Sequence, residues 1–427
     1  MTALIIFTLL MLLMLTGMPV SIALGLTVMT FLFTMTSVPV ESVALKLFTG
    51  IEKFEIMAIP FFILAGNFLT HGGVAKRMVN FATSMVGHWF GGLGLAGVVA
   101  CALFAAVSGS SPATVVAIGS ILLPAMVRAG FPKEFGAGVI ASSGGLGILI
   151  PPSIVMVMYA VATNSSIGAL FIAGVVPGIL LTLFLGGITW YRARKGNFPR
   201  QPKASWMQRL KAFKDSVWGL LLIVVVMGGI YTGIFTPTEA AAMSAVYAFV
   251  IAVFVYKDLS LKDIPRVLLN SASMSAMLLY IITNAVLFSF LLTNENIPQS
   301  LASWMTEQGM GIITFLIAVN ILLLLAGNFM EPSSIMLIFA PILFPMAMAL
   351  GIHPVHFGII MVVNMEIGMI TPPVGLNLYV ASGITKMGLS ALTVAVLPWL
   401  YTMLAFLMLI TYVPEISLWL PRVLGML

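Results

Sequence analysis

The chain has 427 residues, 61% of them hydrophobic and only 7% charged, with a mean hydropathy of +1.14 and a formal net charge of +6. So few charges cannot solvate a water-facing exterior, and apolar runs of roughly 16 to 25 residues recur from end to end, which excludes a soluble protein. The runs are continuous and do not alternate, so a transmembrane barrel is excluded as well. The expected fold class is an all-α polytopic membrane protein.

The first segment, "MTALIIFTLLMLLMLTGMPV", has no basic leader and no small-residue cleavage pattern. It is expected to stay in the membrane. Lys46 and Lys53 mark residues 38 to 53 as interfacial. Residues 54 to 70 then enter the cytoplasm, where Lys76 and Arg77 open a second interfacial stretch, 73 to 88.

Residues 92 to 129 hold two half-helices around "SGSSP". Each is about 24 Å long at 1.5 Å per residue, enough to pass mid-membrane without leaving it. This spacing predicts a re-entrant hairpin, 92–129, with the serines at its tip. Backbone groups freed by such a break are tolerated only where they line a cavity or bind something. Carbonyls and hydroxyls at the end of the entering half suit Na⁺, and amides behind Pro112 suit a carboxylate. A discontinuous helix, 134–163, follows, broken at "SSGGLGILIPPS", and a span over 167 to 191 leads back inside.

Arg192, Arg194, Lys195, Arg200, Lys203, Arg209, Lys211 and Lys214 lie together with no acid among them. Clustered beside membrane spans, they assign this loop to the cytoplasm; the basic net charge carries no sign of a nucleic-acid partner. Spans over 216 to 233, 237 to 256 and 267 to 291 alternate consistently from there. Glu239, behind "TPT", reads as a first-turn acid at a capped helix start. Residues 296 to 310 form another interfacial stretch, followed by a hairpin, 311–350, with its tip in "AGNFMEPSSIM", and a discontinuous helix, 355–385, broken at "NMEIGMITPPVGLN". Glu331 and Glu366 are intramembrane acids, each placed to attend a cation or carry a proton. The four histidines, His71, His88, His353 and His356, fall at predicted membrane edges, and the lone Cys101 excludes an intrachain disulfide or a multi-cysteine metal site. Catalysis finds no foothold.

The second half repeats the first. Pro124 and Pro345, Gly130 and Gly351, Pro151 and Pro372, and Pro152 and Pro373 are each 221 positions apart; Pro112 and Pro332 are 220 apart. Residues 1–191 and 216–427 are therefore read as two repeats joined by a basic linker, 192–215, the second entering the membrane from the opposite side. The expected total is about ten transmembrane helices plus two re-entrant hairpins. Paired broken segments in inverted halves point to a secondary transporter with a midplane site.

The motifs "GMPVSIALGL", "AVSGSSPATVVAIGSILLPAM", "GILIPPS", "FTPTEAAA" and "TPPVGLNLY" resemble those of the large membrane subunit of tripartite ATP-independent periplasmic (TRAP) transporters, in the ion transporter superfamily, over essentially the whole chain. The resemblance implies Na⁺-driven, elevator-type uptake of an organic acid, sialic acid or a C4-dicarboxylate, across the bacterial inner (cytoplasmic) membrane. It also implies two partners, a small four-helix membrane subunit on another polypeptide and a periplasmic substrate-binding protein. The competing readings are a stand-alone Na⁺-coupled dicarboxylate transporter and an ion channel or membrane-embedded enzyme of similar architecture.

Two Na⁺ sites are expected. The first uses Ser108 and Ser110 with backbone near Gly145, Ile148 and Pro151; the second lies between Asn328 and the break at Gly368 to Thr371. The substrate carboxylate is expected between the tips, behind Pro112 and Pro332, in reach of Ser111, Ser153, Ser333, Ser334 and Asn377. The hairpins and broken helices, roughly 92 to 163 and 311 to 385, would move against a scaffold of the flanking helices.

Overall fold

A computed structural model describes residues 2–36 and 38–427, and no β-strand occurs among them. The first half runs α1 (Thr2–Leu15), α2 (Val20–Met35), α3 (Val40–Thr49), α4 (Ala58–His71), α5 (Val74–Val86), α6 (Gly92–Ser108), α7 (Ser111–Arg128), α8 (Lys133–Ser143), α9 (Leu146–Leu149), α10 (Ile154–Thr163) and α11 (Ile167–Lys195). The second runs α12 (Trp206–Tyr231), α13 (Pro237–Val250), α14 (Ile264–Asn294), α15 (Ile297–Glu307), α16 (Ile312–Gly327), α17 (Pro332–Ala349), α18 (Pro354–Gly368), α19 (Leu376–Thr385), α20 (Leu389–Tyr412) and α21 (Glu415–Val423).

Among the described residues, eight helices are long and apolar enough to cross a membrane, or nine if the bent pair at 133–149 and 154–163 is one span. The expectation of about ten spans is too high by this measure. The reason is length: α1 and α2 have 14 and 16 residues, and α18 has 15, all short for a hydrocarbon core of about 30 Å. Two of the eight, α7 and α17, are the returning arms of the hairpins.

Local sequence explains the helix starts. Thr236 and Glu239 form a reciprocal capping box, with the Thr236 N–H donating to Glu239 Oε2 at 2.8 Å, so this acid has the structural role expected of it. Ser205 and Gln208 do the same at α12.

Packing sorts the helices into two groups. In one, α4 packs on α13 and α14, α2 on α14, and α12 on α13. In the other, the hairpins α6–α7 and α16–α17 pack with the broken helices α8–α10 and α18–α19. The helices that close each half, α11 and α20, lie against this second group and each other: α11 packs on α6, α9 and α18, and α20 on α8 and α18. This corrects the expectation that they belong with the flanking helices. Their inward faces carry buried Thr189 and Trp399, joined by a hydrogen bond from Trp399 Nε1 to Thr189 Oγ1 at 2.9 Å. The interfacial helices bridge the groups, α5 touching α6 and α12, and α15 touching α17 and α14.

Contacts at the helix ends join segments that the charge rule places on one side. Lys53 Nζ donates to Asn164 Oδ1 (2.6 Å), Arg77 pairs with Asp258, Tyr256 OH donates to the Asp215 carbonyl (2.8 Å), and Tyr159 OH donates to the Pro354 carbonyl (2.7 Å).

Candidate functional site

The first tip is built by glycine and proline. Gly109, at φ +60°, ends α6 in a left-handed conformation that a side chain would strain, and Ser110 is extended before α7 restarts at Ser111 and Pro112. Buried Ser108 and Thr114 share a hydrogen bond there, their hydroxyls 2.9 Å apart, and both stand within hydrogen-bond reach of the Ser110 carbonyl, at 3.3 and 2.9 Å. Thr114 does not stand out in the sequence; its position one helical turn after Ser110 is the available signal.

The tip sits on the first break. A β-carbon added to Gly147 would stand 2.6 Å from the Ser110 carbonyl oxygen, and one added to Gly109 would stand 2.8 Å from that of Pro152. Glycine is required where backbones approach this closely. Pro151 and Pro152 lack the N–H groups that would have bonded the Gly147 and Ile148 carbonyls, so the break on which the tip sits has carbonyl oxygens without a helical donor. Gly145 is placed differently from Ile148 and Pro151: it faces the side chain of Glu366, 3.6 Å from a β-carbon built on it, and its carbonyl accepts the Ile148 N–H at 3.1 Å.

The second tip and break meet through the same kind of contact. Gly327 and Gly368 touch backbone to backbone, and the Val374 N–H donates to the Asn328 carbonyl at 3.0 Å. The Asn328 side-chain oxygen is buried with no protein donor. Thr371 Oγ1 donates to the Ile367 carbonyl at 2.7 Å, which leaves its lone pairs free. Asn328, Gly368 and Thr371 are thus gathered along one break.

The substrate candidates divide. Asn377 Nδ2 donates to Ser111 Oγ at 2.7 Å and to the Ala141 carbonyl at 3.3 Å, so fully buried Asn377 and Ser111 are joined across the two halves. Ser153 caps α10 by accepting the Met156 N–H at 3.3 Å. Ser333 and Ser334 begin α17, but Glu331 caps this helix: the Ser334 N–H and hydroxyl donate to its Oε1 at 3.1 and 2.8 Å. The chain supplies its own acceptor at this helix start. At the first tip Ser110 makes no side-chain cap, so the amides behind Pro112 have no such internal acceptor.

A polar layer with no signature in the sequence lies in the same core. Asn364 donates to Asn320 (2.9 Å) and Asn320 to Thr411 (3.0 Å), linking α18, α16 and α20. Ser142, Ser143 and Glu366 are fully buried, and their side-chain oxygens have no protein partner. Among the described residues no cluster of three or more His, Cys, Asp or Glu side chains is placed to hold a metal ion.

Helices that span a membrane, broken in pairs over buried neutral oxygens, define a multi-pass membrane transporter. Residues 7–416 match the family described as the tripartite ATP-independent periplasmic transporter, DctM component, and the chain belongs to it. It is 74% identical, over the full length of both chains, to the C4-dicarboxylate TRAP transporter large permease protein DctM of Rhodobacter capsulatus. Identity to the sialic acid TRAP transporter large permease protein SiaM of Vibrio cholerae is 36%, over 95% of each chain. The fold is also similar to that of the Alcanivorax borkumensis YdaH transporter, with a TM-score of 0.54 and 16% identity over 84% of this chain and 86% of that one.

Proposed function

We propose that the chain is the permease subunit of a Na⁺-coupled importer of a C4-dicarboxylate in the inner membrane, working with a small four-helix membrane subunit and a periplasmic binding protein. The seating of the first tip on the first break, at Gly147 and Pro152, carries this reading. Ser108, Ser110, Ile148 and Pro151, with Gly145 behind them, would hold one Na⁺; Asn328, Gly368 and Thr371 would hold the other. Neutral oxygens suit an ion that must be released on every cycle. The partnerless Asn328 oxygen fits such a role.

The substrate carboxylate would lie by the amides behind Pro112, with Ser111 and Asn377 beside it and Ser153, Pro332, Ser333 and Ser334 on the far side. A dicarboxylate is preferred to sialic acid because the relative named for C4-dicarboxylates is far more similar than the one named for sialic acid.

The inverted-repeat reading, 1–191 and 216–427 around the linker 192–215, draws support from reciprocal packing. The terminal half-helix α10 lies on α17, and its counterpart α19 lies on α7. The core of hairpins and broken helices, with α11 and α20 attached, would move as an elevator against α1–α4 and α12–α14, with α5 and α15 as arms.

The deciding experiment is uptake of labelled succinate and sialic acid into liposomes holding the chain and its small subunit. Saturable succinate uptake that needs both a Na⁺ gradient and the binding protein is expected. Uptake needing neither would mean a stand-alone transporter, and conductance without saturable uptake would mean a channel.

A further inference from the structure

A cavity of about 820 Å³, with no tip residue in its lining, lies between the arm helix α5, the start of α12 and the segment that follows α13. Lys76, Arg77, Lys211 and Lys214 line it, with Asp215 and Asp258. Arg77 is already engaged: it pairs with Asp258, donates to the Gly73 carbonyl at 3.0 Å and lies 3.8 Å over the Tyr256 ring. Lys76, Lys211 and Lys214 make no ion pair among the described residues, so three ammonium groups face the cavity against the single free carboxylate of Asp215. Asn80 and Gln208 add uncharged hydrogen-bonding groups.

The position identifies the ligand. These cations belong to the basic segments that the charge rule places at the cytoplasmic membrane surface, and the wall formed by α12 is amphipathic. Trp206 is 77% exposed, and Trp218, Leu221 and Val224 continue the exposed apolar surface along the helix into the span. A soluble anion would need the lysines but not the apolar track; a lipid needs both.

We propose that this cavity binds the phosphate headgroup of an anionic phospholipid of the cytoplasmic leaflet, whose acyl chains lie along α12. Lys76 comes from the arm and Lys211 and Lys214 from the scaffold, so the headgroup ties the two together. The proposal goes beyond the transport reading: it needs a membrane-embedded chain with residues 192–214 inside, but no particular substrate or coupling ion.

Native mass spectrometry of the complex with its small subunit, titrated separately with phosphatidylglycerol, phosphatidylcholine and inorganic phosphate, tests it. Phosphatidylglycerol should bind preferentially and resist displacement by phosphate. Each surface lysine contributes about fivefold to such binding, so Lys76→Gln/Lys211→Gln/Lys214→Gln should weaken phosphatidylglycerol on the order of a hundredfold and leave phosphatidylcholine unchanged. If the triple variant fails to assemble, Lys214→Gln alone should still cost about fivefold. Unchanged phosphatidylglycerol affinity in the variants overturns the proposal, as does full displacement by phosphate, which would mean a site for a soluble anion.

Discussion

Asn377 donates to Ser111 at 2.7 Å across 266 positions of sequence, tying the second broken helix to the start of the first hairpin's returning arm. Both side chains are fully buried, so losing Asn377 leaves the Ser111 hydroxyl unsatisfied, whereas Asn377 keeps the Ala141 carbonyl when Ser111 is lost. A deletion of this kind costs about 1–3 kcal/mol. Asn377→Ala should therefore raise the substrate KM by roughly five- to 150-fold. Ser111→Ala added to it should cost much less than the two single effects combined, because the pair acts as one unit. Additive losses in a double-mutant cycle would separate the two residues.

Gly147→Ala should displace the tip. Its β-carbon would stand 2.6 Å from the Ser110 carbonyl oxygen, and backbone on both sides leaves little to yield. Overpacking of this kind costs about 1–3 kcal/mol, here spent against the closed tip. Na⁺-dependent uptake should fall by roughly five- to 150-fold, on the same estimate. Gly187→Ala is the control, since nothing lies within 4 Å of its added β-carbon. Equal uptake by the two variants would mean that the tip does not need its seat.

What sequence can and cannot reveal follows from the same chemistry. The hairpins and breaks are legible because Pro112, Pro151, Pro152, Pro372 and Pro373 remove backbone donors wherever they stand, and a polar tip inside an apolar run is too costly to keep unless it lines a cavity or binds something. Helix faces are not legible. In a chain whose lipid-facing and core-facing surfaces are equally apolar, hydrophobic periodicity does not say which side is buried. Hence the sequence sets α11 and α20 apart from the core they pack on, and gives no sign of Asn320 and Asn364. Glu331 is legible as an unusual acid, but its use as the cap of α17 depends on a hydrogen bond that spacing alone does not select.

Lys53 offers a test of movement. Its ammonium group, on the scaffold side, donates to Asn164 Oδ1 at 2.6 Å and to the Val161 carbonyl at 3.1 Å, both at the end of α10 in the core group. An elevator must break this contact. In a background where Cys101 is replaced by alanine, cysteines at positions 53 and 164 should cross-link in one condition and lose that cross-link when Na⁺ and substrate shift the population. A cross-link yield that ignores both ligands would argue for a fixed core.

The strictest test concerns the ions. The Ser110 carbonyl stands at the tip against Gly147 in the first break, where Pro152 deprives the Ile148 carbonyl of its donor, and Thr371 lies in the second break, 221 positions after Ile150. Ser108→Ala removes one hydroxyl, a bond to Thr114 at 2.9 Å and, on the proposed reading, one Na⁺ ligand. Loss of packing alone would lower the amount of folded protein without changing the Na⁺ concentration for half-maximal uptake. Loss of a ligand would raise that concentration, by about tenfold if the oxygen is worth about 1.4 kcal/mol. Thr114→Ala removes the same contact, and its own bond to the Ser110 carbonyl, while leaving every proposed ligand in place, so it reports the structural part. Thr371→Ala should reproduce the Ser108 result at the other site. Na⁺ half-saturation that stays at the wild-type value in both Ser108→Ala and Thr371→Ala would dismiss these oxygens as ligands, whatever becomes of the fold.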